Sequence, residues 1–80
     1  MGGHYVGKIF IAVSLTDGRE GFVMEIVDDT IMICDDYDSA ARFITVKQAT
    51  NFIKKNLKLP NFFDRNVFIE SYRIVKENEL

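Results

Sequence analysis

The sequence predicts an α+β fold: a small antiparallel sheet of three to four strands, in the order ββ(β)αβ, with one helix packed on one face. Three observations predict it. Apolar residues alternate over 5–15 and again over 21–27, with Asp17-Gly18 between the two runs. A helical repeat over 46–57 starts at a capping sequence and stops before Pro60. Alternation then returns over 67–76.

In the first run Tyr5, Ile9, Ile11, Val13 and Leu15 share one parity, and the β-branched content favours a strand over a helix. Thr16-Asp17-Gly18-Arg19 supplies the turn, because Asp-Gly readily takes the positive φ that tight hairpins need. The second strand places Phe22, Met24 and Ile26 on one face. Asp28-Asp29-Thr30 reads as a second turn, and the apolar run 30–34 as a short third strand. Residues 35–39 are polar and read as a loop; 40–44 fits either a short extended piece or a turn of helix.

Thr45-Val46-Lys47-Gln48 has the form of a capping box. Beyond it Val46, Ala49, Phe52, Ile53 and Leu57 recur at helical spacing, and most of the polar residues take the other side. Lysines gather toward the end of this helix, opposite the negative pole of its dipole. Residues 61–66 form a loop. In the last strand Phe68, Tyr72 and Ile74 share one face, while Val67, Ile69 and Val75 share the other. A sheet this small leaves open edge strands, which are natural sites for a partner strand or for pairing of two copies.

The 80 residues make a single domain, 1–80, with 48% hydrophobic residues, an ordinary globular share. A net charge of −2 argues against binding nucleic acid through bulk positive charge. A single cysteine, Cys34, fits a reducing compartment. No run approaches the roughly 20 apolar residues of a membrane span, and the start lacks signal-peptide character. The expected location is cytoplasmic, without membrane attachment.

Five carboxylates crowd one stretch: Asp28, Asp29, Asp35, Asp36 and Asp38. They read either as two solvated turns or as an acidic surface for a protein partner, in the extreme a mimic of nucleic-acid phosphate. A calcium loop starting at Asp36 fails, because Ala41 stands where the glycine belongs. Charge is also divided along the chain, with a net −6 through Asp38 and +4 from Ser39 onward. Lys47, Lys54, Lys55 and Lys58 form a basic helix face, a solvated face or a phosphate-contacting one. Phe62 and Phe63 either cap the core beneath their loop, the favoured reading, or present an aromatic anchor to a partner. With Met1 removed, Gly2-Gly3-His4 would offer a square-planar nitrogen site for Cu(II) or Ni(II), but nothing else in the sequence demands a metal. With one histidine, one cysteine and no glycine-rich phosphate loop, neither catalysis nor a cofactor is expected.

The stretch Asp38-Ser39-Ala40-Ala41-Arg42-Phe43-Ile44-Thr45-Val46-Lys47-Gln48-Ala49 resembles a family of small uncharacterised open reading frames of phages and prophages of Gram-positive bacteria. In that family a hairpin precedes an Ala-x-Arg-Phe-x-Thr-x-x-x-Ala stretch that opens a helix, and a final strand follows. The third apolar run and the Phe62-Phe63 loop are additions to the pattern. The resemblance implies no known chemistry; it implies an accessory protein that acts by binding, for instance to a host protein. The expectation is thus a non-enzymatic protein-interaction module that uses its acidic turns or a sheet edge. The alternatives are an acidic nucleic-acid mimic and nucleic-acid binding through the helix lysines. Self-association through an edge is compatible with the first.

Overall fold

The computed structural model describes residues 7–80. The expected start of the first strand at Tyr5 and the Gly2-Gly3-His4 motif lie outside the described residues. The order is β1 (Ile9–Leu15), β2 (Glu20–Val27), β3 (Thr30–Cys34), α1 (Val46–Asn56) and β4 (Ile69–Lys76), with short 3-10 turns at Tyr37–Ser39 and Glu77–Glu79. All strand pairs are antiparallel and the sheet runs β3-β2-β1-β4. The helix therefore carries the chain from one edge of the sheet to the other, lying over β1 and β4 on the way. The expected α+β architecture is the observed one, with four strands.

The first hairpin turns as the sequence predicts. The Gly18 N–H donates to the Leu15 carbonyl at 2.9 Å and the Leu15 N–H to the Arg19 carbonyl at 2.8 Å, with Gly18 at φ +93°. This is a three-residue loop with glycine at the left-handed position. The second turn is tighter. Asp28 and Asp29 both have positive φ, 51° and 58°, as a two-residue type I′ turn requires, and the Thr30 hydroxyl donates back to the Val27 carbonyl. Aspartate tolerates this backbone better than most residues, but only glycine adopts it without steric cost.

The core lies between α1 and one face of the sheet. Ile9, Ile11, Val13 and Leu15 of β1 point to it and meet Ala49 and Ile53 of α1, with Phe52 and Leu57 packed alongside. Thr45 caps the helix by accepting the Gln48 N–H at 3.0 Å; the Gln48 side chain accepts the Ile44 N–H at 2.8 Å, one residue before the cap. Val46, expected on the apolar face, lies at the solvent end of the first turn and is exposed.

Two bulges overturn the expected faces of β2 and β4. The β2–β3 register slips between Val23 and Glu25, leaving Met24 as an extra residue. Each such insertion reverses the parity that follows it. Val23 and Ile26 therefore both face the core, and Phe22 lies on the opposite face. A second slip, between Ser14 and Leu15, leaves Glu70 as the extra residue of β4. It brings Ile69, expected on the other face, into the core beside Tyr72 and Ile74, and Phe68 is left exposed.

β1 and β2 pair only over Ala12 to Ser14 and part beyond it. Residues 40–43 fill the gap as an extended piece, which decides between the two readings of that stretch. Phe43 exchanges both backbone hydrogen bonds with Ile9, at 3.1 and 2.9 Å, and the Ala41 N–H donates to the Val23 carbonyl at 2.9 Å. On the far side of β2, Gly21 lets β3 come close. A Cβ there would stand 2.6 Å from the Cys34 carbonyl oxygen and 2.6 Å from Ile33 Cγ2.

Replacing Asp29 by glycine relieves the left-handed residue at the second position of the β2–β3 turn. Asp29→Gly is expected to raise unfolding stability in urea by about 0.5–1 kcal/mol. An unchanged or lower midpoint would show that the aspartate side chain contributes something the backbone geometry does not reveal.

Candidate functional site

The five clustered aspartates do not form one surface. Asp28 and Asp29 make the turn before β3; Asp35, Asp36 and Asp38 follow its other end. At a strand rise of about 3.3 Å per residue the two groups stand about 20 Å apart. Asp36 also has a local role, its carboxylate accepting the Ser39 N–H at 3.3 Å at the start of the 3-10 turn. Among the described residues no three or more His, Cys, Asp or Glu side chains converge as metal ligands would.

Phe62 and Phe63 do not cap the core. They pack edge-to-face with ring centroids 5.2 Å apart and are 38% and 68% exposed. Their loop is held from beneath by Asn61, whose side-chain oxygen accepts the N–H groups of Phe63 at 2.8 Å and Asp64 at 3.2 Å. Asn61 is itself buried, so these bonds satisfy a polar group that would otherwise be costly inside. Lys47, Lys54, Lys55 and Lys58 are all exposed, on or just beyond the side of α1 turned away from the sheet. No helix among the described residues is long and apolar enough to cross a membrane.

Two further features were missed in the sequence. The first is the difference between the sheet's two edges. On β3 the Ile31 N–H donates to the Pro60 carbonyl and the Ile31 carbonyl accepts the Phe62 N–H, at 2.9 and 2.8 Å, so a loop engages that edge at Ile31. On the other edge, β4 has a strand neighbour on one side only among the described residues. The Glu77 N–H donates to the Lys8 carbonyl, and the register pairs Ile9 with Lys76. Antiparallel alternation then turns the amides of Val75, Arg73 and Ser71 toward β1 and those of Ile74 and Tyr72 outward.

The second is the sheet face away from α1. Its lower half is covered: Phe10 is fully buried there, with the rings of Phe22 and Tyr37 at 6.3 and 5.7 Å and the Arg42 guanidinium 4.9 Å above its centre. Arg42 also donates to the Gly7 carbonyl at 3.0 Å and lies 3.6 Å from the Glu77 carboxylate. The upper half is open. Ala12 stands between Phe22 and Arg73, and Ser14 between Glu20 and Ser71, so small side chains leave a trough of about 440 Å³. The small even-numbered residues of β1 are visible in the sequence, but their cross-strand neighbours are not.

Cys34 sits half-buried at the rim of this face. Its thiol is within reach of the Asp36 carbonyl at 3.2 Å and the Phe22 carbonyl at 3.5 Å. Burial, then the negative charge of Asp36, raises its pKa above the ordinary thiol value of 9.0. Asp17, at the hairpin tip, is shifted the other way. The Arg19 backbone N–H, and then its side chain, hold that carboxyl below its usual range.

No family model, no curated protein and no solved structure matches the chain.

The raised thiol makes a pH prediction. Because the folded state holds the proton more tightly, thiolate forms only at higher pH than in a free cysteine. Alkylation of the native chain by iodoacetamide is expected to be slower than that of the urea-unfolded chain near pH 8, with a midpoint above 9.0. A native midpoint at or below the unfolded one would contradict this.

Proposed function

We propose that this chain is a non-enzymatic protein-interaction module that takes an extended segment of its partner as an added strand on the open edge of β4. The observation that carries this reading is the asymmetry of the sheet. The short β3 edge is engaged at Ile31 by residues 60–62, whereas β4 offers eight residues of strand with no neighbour beyond it among the described residues. The outward amide and carbonyl groups of Tyr72 and Ile74 supply main-chain hydrogen bonds to an incoming strand, and alternate side chains of that strand supply selectivity. Glu70, Arg73 and Lys76 on the same strand discourage indiscriminate pairing, the usual protection of an exposed edge.

A binding role also accommodates the exposed aromatic pair Phe62 and Phe63, which enlarges the apolar surface available beyond the sheet. The acidic turns at Asp28–Asp29 and Asp35–Asp38 lie at the two ends of β3, across the sheet from β4, and steer a basic partner at longer range. A phage-borne accessory protein acting on a host protein in the cytoplasm fits the family resemblance and the lone free thiol of Cys34. A second copy of the chain is the competing occupant of the edge, and light scattering over a range of concentrations distinguishes it from a foreign partner.

Hydrogen exchange tests the proposal. In the free chain the amides of Tyr72 and Ile74 are expected to exchange faster than those of Arg73 and Val75. In a complex purified from the native host, Tyr72 and Ile74 are expected to become protected. Protection gained only at the acidic turns, with both edge amides unchanged, would overturn strand addition.

A further inference from the structure

The trough on the open half of the second sheet face is lined by three charged residues: Glu20 on β2, Asp35 just after β3, and Arg73 on β4. Among the described residues none of the three takes part in a salt bridge or side-chain hydrogen bond; the ion pairs there are Arg19–Asp17 and Arg42–Glu77. The cation nearest Glu20 in sequence, Arg19, is held at the hairpin tip by Asp17 at 2.7 Å. The floor is Ala12, Ser14 and Ser71, with the ring of Phe22 as an apolar wall. At a strand spacing of about 4.8 Å, Arg73 stands about 10 Å across the sheet from Phe22.

This combination selects an occupant. The trough is shallow and open to solvent, whereas sites for free small molecules enclose most of their ligand. A side chain presented by a protein segment brings its own cover. Two unpaired carboxylates call for a cation, and the aromatic wall favours one that is planar. Guanidinium pairs with carboxylate through two parallel hydrogen bonds and lies well against an aromatic ring, while an ammonium does neither as well.

We propose that the trough receives an arginine side chain from an extended segment of a protein partner. The guanidinium lies against Glu20 and Asp35, the aliphatic stem follows Phe22, and Arg73 repels a second cation at the opposite end, which sets the direction of the segment. This deepens the interaction-module reading and rests on it only in taking the partner to be a protein.

The test uses the full chain labelled for NMR and a blocked heptapeptide of alternating threonine and valine with arginine at its centre. Lysine and citrulline versions and blocked arginine alone serve as further probes. The arginine peptide is expected to give saturable shifts at the amides of Gly21, Phe22 and Arg73. Binding is expected to weaken about tenfold with citrulline and about tenfold again for the double variant E20Q/D35N. Glu20 and Asp35 are exposed and their side chains bond to no other described residue, so the variant's unperturbed resonances elsewhere report that it is folded. Equal binding by the citrulline or lysine peptide would overturn the proposal. So would an unaffected E20Q/D35N variant, or blocked arginine binding as tightly as the peptide. Shifts confined to Tyr72 and Ile74 would overturn the trough and leave strand addition standing. No shift at any residue would overturn the trough, with the edge still tested by exchange in the native complex.

Discussion

The burial of β1 on both of its faces is the constraint that organises this small domain. Ile11 and Phe10, adjacent in sequence and pointing to opposite sides, are both completely removed from solvent. Among the described residues one helix, α1, is long enough to cover a sheet face, and it covers one side. The other side is covered by the connection from β3 to α1. That connection lays Tyr37 and Arg42 over Phe10, then enters the gap between β1 and β2 and bonds to both through Phe43 and Ala41. A segment without regular secondary structure thus does two jobs: it completes the sheet's hydrogen bonding where the strands part, and it shields an aromatic ring that would otherwise face water.

What the connection leaves uncovered is the surface proposed for binding. The cover stops at the level of Phe22, and beyond it Ala12, Ser14 and Ser71 are too small to fill the space. The edges divide in the same way. Residues 60–62, on their route from α1 to β4, lie along β3, and no described residue does the same for β4. Both open features therefore lie toward β4, with Ser71, Tyr72 and Arg73 lining the trough and belonging to the edge strand. A partner strand on that edge would lie beside the trough rather than away from it.

The parts legible in the sequence are those decided by local rules. Asp17-Gly18 marked the first hairpin because a positive φ at Gly18 is a local requirement. Thr45 and Gln48 marked the start of α1, since both side chains bond within four residues of themselves. The faces of β2 and β4 were not legible, because nothing in the residues around Met24 or Glu70 announces an extra residue, and one insertion reverses every side chain beyond it. The exposure of Phe62 and Phe63 was hidden for a related reason. Their loop is held up by Asn61, a polar residue that goes into the interior while the two rings stay out. The trough needed Glu20, Phe22, Asp35 and Arg73 brought together from two strands and a loop, and such juxtapositions belong to tertiary structure alone.

The role of Phe10 is the most direct measure of this account. If its ring is the centre of a second packed layer, Phe10→Ala removes a fully buried aromatic side chain with little chance of collapse around it. The expected loss is about 3–5 kcal/mol in urea unfolding, out of the roughly 4–12 kcal/mol typical of an 80-residue domain. A loss below about 1 kcal/mol, the size expected of a solvent-facing substitution, would mean that the ring is not enclosed by Phe22, Tyr37 and Arg42 and would contradict the two-sided burial of β1.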